Sequence, residues 1–200
     1  IRDPLWSRGL GDVYKRQEQQ WPIVRRIIHS TADFDFARDN KIIFHKTAVQ
    51  SGLDALKNGC SIIVDVNGII GLMNKQNPKD FGNSVICNIS EPSLIEAAKK
   101  ENKTRAQMSM RIAKEDMNGG IVVIGNAPTA LLEVMEMVKE GITKPALVIG
   151  IPVGFVSAVE SKEELAKMDI PFITNQGRKG GSPCASAIVN ALYKLLRQGN

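Results

Sequence analysis

Short runs of β-branched residues alternate with segments of helical periodicity along most of the chain. The runs at 61–66, 84–89, 121–124, 146–149 and 171–174 predict five buried strands. Between these runs, apolar residues recur every three or four positions, as on one face of a helix. Strands separated by helices favour a parallel sheet that is covered on both faces, so the pattern predicts a single α/β domain.

Residues at the segment boundaries support the predicted helices. Pro92 and Pro128 can each occupy the first turn of a helix, and Thr104 can cap one. The segment 67–83 is rich in glycine, asparagine and lysine, which predicts a loop or lid instead of a helix.

The unusual residues of the chain follow the predicted strands. Asp65 ends one strand, and the segments 125–129, 152–155 and 177–182 follow three others. Because parallel sheets bind ligands at the carboxyl ends of their strands, we expect a ligand site at this edge.

The segment GRKGGS at 177–182 suits an anion. Gly180 and Gly181 let backbone N–H groups turn toward a ligand, Arg178 adds a full charge, and a helix begins near Ser182. The alternative is a tight connection with exposed basic residues, since a glycine-rich loop alone is a weak signal. No Walker A or G-x-G-x-x-G pattern is present, so nothing in the sequence requires a nucleotide.

Three further residues carry candidate chemistry, each with a plainer alternative. His29 is followed by hydroxyls and carboxylates that could orient an imidazole for proton transfer, although a structural histidine has the same spacing. Arg105 offers a planar fork that matches a carboxylate, or it is a solvated arginine beside a helix cap. Asp65 either contacts a ligand or caps a helix.

Composition narrows the classes of function. The 200 residues carry a formal net charge of +5; residues 1–17 hold four basic and two acidic residues (+2), which leaves +3 for the rest. This mild excess, with 5% aromatic residues, fits an anionic small ligand and argues against nucleic acid. The longest apolar stretch is too short to cross a membrane.

The three cysteines show no C-x-x-C spacing, and the chain has only two histidines. These counts argue against a Cys/His zinc site, and we expect no bound metal. Free buried thiols are typical of a reducing compartment, which predicts a cytoplasmic protein.

Residues 1–17 do not fit the pattern of the domain. Their GDVYKRQ stretch looks like translated adaptor sequence, so we assign 1–17 to an N-terminal segment foreign to the fold and 18–200 to the domain. The native N-terminal segment is then missing or replaced.

Five motifs add a resemblance. They are RRIIHSTADFDF (25–36), KTRAQM (103–108), IGNAPTAL (124–131), PVGFVSAVESKEEL (152–165) and GRKGGSPCASAIVNAL (177–192). In this order and spacing they resemble the precorrin-8X methylmutase family, and the similarity covers about residues 18–197. Any one motif would be a weak signal, whereas five in order are specific.

The resemblance implies a three-layer α/β/α fold with a five-stranded parallel sheet, and a homodimer. It implies that a methyl group moves from carbon 11 to carbon 12 of precorrin-8X, or of cobalt-precorrin-8, to give hydrogenobyrinic or cobyrinic acid in cobalamin biosynthesis. No organic cofactor takes part. His29 matches the active-site histidine of the family, and Thr104 and Arg105 match a motif that helps to hold the substrate.

The implied substrate is a broad, flat ring edged by carboxylates, which needs an apolar wall and a polar rim. We expect Phe155 to contribute to the wall. We expect the rim to consist of Arg105, Arg178 and the backbone of Gly180, Gly181 and Ser182, and Asp65 is a further candidate contact of the substrate. We expect His29 to act as a general acid during the methyl shift. Slow release of a tightly bound product, by transfer to the next pathway enzyme, is a further expectation.

Two alternative functions remain open, and two features of the chain motivate the first of them. The family usually has a methionine where Gly68 stands, and the N-terminal segment is altered. A non-catalytic corrinoid carrier would bind pigment without converting it. A generic α/β transferase that uses GRKGGS for phosphate would bind nucleotides or sugar phosphates and no pigment.

Overall fold

One six-stranded sheet forms the centre of the molecule. The structure, a computed structural model, describes residues 19–38 and 41–199. The strands are β1 (Ile42–Phe44), β2 (Ser61–Val64), β3 (Ser84–Ile86), β4 (Ile121–Ile124), β5 (Leu147–Gly150) and β6 (Phe172–Asn175). They lie in the order β1-β6-β5-β4-β2-β3, with β1 antiparallel to β6 and every other pair parallel.

The five predicted strands are confirmed as a parallel set, but the prediction of a five-stranded, wholly parallel sheet is wrong. A sixth strand, β1, pairs with the outer edge of β6, from Ile42 opposite Asn175 to Phe44 opposite Ile173. Its three residues are too few to show a periodic pattern. They form a strand because they pair with β6, an edge strand of the parallel set.

Nine α-helices lie in the described part of the chain, together with one 3₁₀ helix at Phe34–Ala37. They are α1 (Trp21–Thr31), α2 (Ala48–Lys57), α3 (Asn67–Leu72), α4 (Gln76–Phe81), α5 (Ser93–Lys100), α6 (Arg105–Ile112), α7 (Pro128–Lys139), α8 (Ala158–Ala166) and α9 (Ser182–Gln198). The segment 67–83 is thus not the irregular loop that its composition predicts, because α3 packs against α9.

Alternate residues of the strands face two separate cores. Ile62 and Val64 of β2 pack with α1, α2 and α9, whereas Ile63 between them packs with α6, α7 and α8. The period of two along a strand therefore produces the predicted three layers, with helices on both faces of the sheet.

Three further expectations concern the N-terminal segment, the cysteines and the length of the helices. The predicted foreign segment at 1–17 lies outside the described residues. Cys60, Cys87 and Cys184 are free thiols, as expected, but only Cys184 is fully buried, and burial raises its pKa to about 12. None of the described helices is both long and apolar enough to span a membrane.

Candidate functional site

The carboxyl edge of the sheet brings together the loops that the sequence singled out. Since β2, β4, β5 and β6 run parallel, the segments that follow them emerge on the same side of the molecule. The amino end of α9 lies there too, because Gly181 directly precedes it and donates its N–H to the carbonyl of Ile151 at 2.9 Å.

Asp65 holds the loop between β4 and α7. Its Oδ1 accepts the N–H of Gly125 at 3.0 Å, and its Oδ2 accepts those of Asn126 and Ala127 at 2.8 Å each. The side chain is fully buried, which raises the pKa of Asp65, although the three donors favour the ionised form. The structure thus gives both oxygens backbone partners, and a direct substrate contact of Asp65 stays a prediction.

The GRKGGS loop has a backbone that needs glycine. Gly177 and Gly181 have φ angles of 80° and 109°, which other residues adopt only with strain. A Cβ on Gly180 would lie 2.5 Å from the carbonyl oxygen of Ile151. The N–H of Gly181 is already bonded inside the protein, so it does not face an anion, whereas those of Gly180 and Ser182 have no partner among the described residues.

Lys179 ties this loop to the segment that follows α1. Its ammonium lies 2.5 Å from Oδ2 of Asp33 and 2.8 Å from Oδ2 of Asp35, and it holds the pKa of both carboxyls below their usual range. The hydroxyl of Ser30 also donates to the carbonyl of Pro183 at 3.2 Å. The last turn of α1 therefore lies against the amino end of α9.

His29 occupies that last turn and lines a groove of about 400 Å³. Helix α9 runs along the groove, with α1 on one side and the segment from α3 to α4 on the other. Asn190 of α9 fixes that segment, because it accepts the N–H of Asn74 at 2.9 Å and donates to the carbonyl of Leu72 at 3.1 Å. The imidazole of His29 makes no hydrogen bond to any described residue, which leaves it available to a ligand.

The groove is strongly basic. Arg25, Arg26 and His29 lie on one stripe of α1 at spacings of three and four residues, and Lys194 and Arg197 face them from α9. Arg197 is paired with Asp80, whereas the structure shows no ion pair from the other three cations to a described residue. An anionic ligand in the groove would therefore meet three cations that have no ion-pair partner among the described residues, in the same lining as His29.

Thr104 and Arg105 lie apart from the groove of His29, at the start of α6. Thr104 caps α6 in a capping box with Gln107, as predicted, and its hydroxyl donates to Thr129 at 3.3 Å. The guanidinium of Arg105 donates to the carbonyl of Ile89 at 3.1 Å and lines an open groove of about 510 Å³. This second groove does not include His29, so the structure brings the site residues predicted from sequence together in two groups.

A buried carboxylate anchors the helix that carries this second group. Glu133 of α7 accepts Lys103 and Gln107, each at 2.9 Å, and forms an ion pair with Arg111. These contacts fix α6 against α7, and with it the position of Arg105.

The predicted wall residue Phe155 lies at the surface beside Arg178, a predicted rim residue of the GRKGGS loop. Phe155 is 85% exposed, and the guanidinium of Arg178 lies 5.4 Å from the centre of its ring. The pair presents an aromatic face and a charge at the same point, as expected for the edge of a flat anionic ligand.

Sequence reasoning missed the cations of the groove. Arg25 and Arg26 could have been predicted from their spacing, because residues three and four positions before His29 lie on the same face of a helix. Lys194 carried none, because only the packing of α9 against α1 brings it near His29.

Comparison with known proteins gives one consistent family. The family model for precorrin-8X methylmutase matches residues 8–195, which begins upstream of the predicted domain start at residue 18. A cobalt-precorrin-8 methylmutase of Priestia megaterium is 50% identical over 91% of this chain and 80% of its own. A precorrin-8X methylmutase of Sinorhizobium sp is 35% identical over 94% and 89% of the two chains. A solved structure of the precorrin-8X methylmutase of Thermus thermophilus is 36% identical, with a TM-score of 0.85 over 98% and 96% of the two chains.

Proposed function

The chain belongs to the precorrin-8X methylmutase family and is an isomerase of cobalamin biosynthesis, and we propose that it moves a methyl group from carbon 11 to carbon 12 of precorrin-8X or cobalt-precorrin-8. The observation that carries this proposal is the groove of His29, which brings a histidine side chain without a hydrogen bond to any described residue together with three cations that form no ion pair with the described part of the chain. A polycarboxylate macrocycle needs this combination of a proton donor and a cationic rim.

His29 is the general acid of this reaction. The bond from the methyl group to carbon 11 breaks as the bond to carbon 12 forms, while the imidazolium protonates the conjugated ring. Since substrate and product of an isomerase have the same composition, the ring gives up another proton, which restores the imidazolium. A positioned acid of this kind contributes about 10²–10⁴-fold in rate.

The acid side chains of the ring bind to cations on its rim. Arg25, Arg26 and Lys194 lie beside His29, and Arg178 with Phe155 lies beside the GRKGGS loop. Thr104, Arg105, Gly180 and Ser182 complete the set of proposed substrate contacts. Binding through several charges holds the flat ring in one orientation while the methyl group moves.

The quaternary state and the fate of the product are part of the proposal. We expect a homodimer and no organic cofactor, with slow product release by transfer to the next pathway enzyme. Sedimentation of the purified protein tests the dimer, and turnover after exhaustive dialysis tests the cofactor. A monomer that turns over at the full rate would contradict the first expectation.

An absorbance assay tests the function. The purified protein is mixed with precorrin-8X or cobalt-precorrin-8, and we expect the spectrum of the substrate to change to that of the product. His29→Ala should still bind the ring but lose about 10²–10⁴-fold in kcat. The matched control is His45→Ala, since His45 lies outside the groove and bonds to Thr47 at 2.9 Å. Near-normal kcat of His29→Ala would refute its role as the acid.

A second experiment tests the cations of the groove. Arg25→Gln and Lys194→Gln should each weaken binding of the substrate and reduce the dependence of its Kd on salt, because one charge pair is lost. Lys57→Gln, at an exposed end of α2, is the control. Wild-type affinity in both groove variants would place the substrate elsewhere.

A non-catalytic corrinoid carrier is the second candidate, and Gly68 is the observation that favours it. A Cβ on Gly68 would lie 3.3 Å from Oγ of Ser182, so the methionine usual in the family would fill space next to the GRKGGS loop. The carrier predicts that the absorbance assay shows a bound but unchanged pigment.

A further inference from the structure

Lys162 of α8 is a lysine in an unusual place. It is only 2% exposed, although lysine is among the residue types least often found buried. The proposed chemistry above does not use it, and the motif that contains it, ESKEEL, showed only capping-box spacing in the sequence.

The ammonium of Lys162 holds the backbone of the GRKGGS loop from below. It donates to the carbonyl of Lys179 at 2.9 Å and to Oδ1 of Asn175 at 3.3 Å. Asn175, itself 1% exposed at the end of β6, donates to the same carbonyl at 2.8 Å. Two buried side chains thus converge on one backbone oxygen of the loop.

The charge of Lys162 has no carboxylate partner within the described ranges of the chain. Its acceptors from β6 and from the loop are neutral, and the titratable group that faces it from α9 is the Cys184 thiol, whose pKa is raised to about 12. Burial lowers the pKa of Lys162 to about 8, so the ammonium remains mostly charged at neutral pH. An uncompensated buried cation favours an anion nearby.

Lys179 joins the two parts of the site. Its carbonyl is fixed by Lys162 and Asn175, while its own ammonium binds Asp33 and Asp35, which follow the helix of His29. A shift of this one residue would move the anion-facing amides of the loop and the end of α1 relative to each other.

We propose that Lys162 is a positioning residue for the methyl shift. It fixes the GRKGGS loop relative to His29, and its positive charge favours binding of a substrate carboxylate at that loop. The proposal rests on the proposed function. It does not require Lys162 to touch the macrocycle.

The experiment compares Lys162→Met with wild type. Methionine keeps the length and volume of the side chain but removes the ammonium. We expect KM for the substrate, and Kd for the coloured product measured by absorbance titration, to rise about tenfold, which corresponds to a loss of about 1.4 kcal/mol in binding free energy. We expect a smaller fall in kcat. Lys167→Met, at the exposed end of the same helix, is the control.

The pH dependence of Kd separates positioning by charge from a purely structural role. In wild type, affinity should fall as pH rises through about 8, where Lys162 loses its proton. Lys162→Met should lack this step. If Lys162→Met does not fold, Lys162→Gln serves instead, because it keeps a hydrogen-bond donor and loses the charge.

The outcomes are distinct. A folded Lys162 variant that keeps the wild-type KM and the pH step in Kd would overturn the positioning role. If the wild-type protein still converts the substrate, the proposed function stands in that case. Failure of wild type to convert or bind either pigment would overturn the proposed function, and the role of Lys162 with it.

Discussion

Replacement of Asp65 by asparagine distinguishes a loop anchor from a substrate contact. Asp65→Asn exchanges one of two carboxylate oxygens for an amide group at a fully buried site. One oxygen accepts Gly125 and the other accepts Asn126 and Ala127, so a single remaining oxygen cannot serve both sets. At least one buried N–H then faces another donor. Each unsatisfied buried group costs about 1–3 kcal/mol, and the remaining hydrogen bonds are weaker because their acceptor is no longer charged. We therefore expect the free energy of unfolding to fall by about 2–4 kcal/mol.

Thermal unfolding followed by circular dichroism measures this loss. For a domain of this size each kcal/mol lowers Tm by about 2–4 °C, so Asp65→Asn should unfold about 5–15 °C below wild type. The control, Asp54→Asn, changes an exposed carboxylate on α2 that bonds only to Gln50 among its described neighbours, and should shift Tm little. An unchanged Tm of Asp65→Asn with a raised KM would refute the anchor and favour direct contact with the substrate.

Three further outcomes are expected. Glu133→Gln should lower the free energy of unfolding by about 3–5 kcal/mol in urea titrations, because it leaves its cations without a buried partner; a change below about 1 kcal/mol would contradict this. Gly68→Met should strengthen binding of the coloured product, since its side chain adds apolar surface beside Ser182, and weaker binding would argue for a clash. Lys179→Met should lower Tm at neutral pH. This difference should shrink below about pH 3.8, because the carboxylates that Lys179 binds have lowered pKa values and lose their charge only in acid; a difference that persists there would exclude the ion pairs as its cause.

Much of the fold could be predicted because its signals are local. The five parallel strands consist of short β-branched runs, and Thr104 and Pro128 mark helix starts as their chemistry requires. Strand β1 and helices α3 and α4 could not be predicted in this way. Strand β1 depends on an edge of β6, and Asn74 next to α3 is held by Asn190, which is distant in sequence.

The site was predictable where residues share an element and not where packing creates it. The strand-end rule placed the loops after β2, β4, β5 and β6 at one edge of the sheet. It could not show that Asp65 is occupied by backbone amides, nor that Gly181 donates its N–H within the protein. Both facts depend on contacts between loops, and spacing along the chain does not encode the direction of an N–H group.

The five motifs that carry the family resemblance are in contact with one another. Lys179 of GRKGGS binds Asp33 of the His29 motif, and its carbonyl accepts Lys162 of the ESKEEL motif. Thr104 of KTRAQM donates to Thr129 of IGNAPTAL. A change in one motif would therefore disturb the backbone of another, which is a physical reason for the motifs to occur together. His29 differs, since its side chain makes no hydrogen bond to any residue in the described part of the chain. The imidazole is thus available to a ligand in the groove, as its proposed role as the general acid needs.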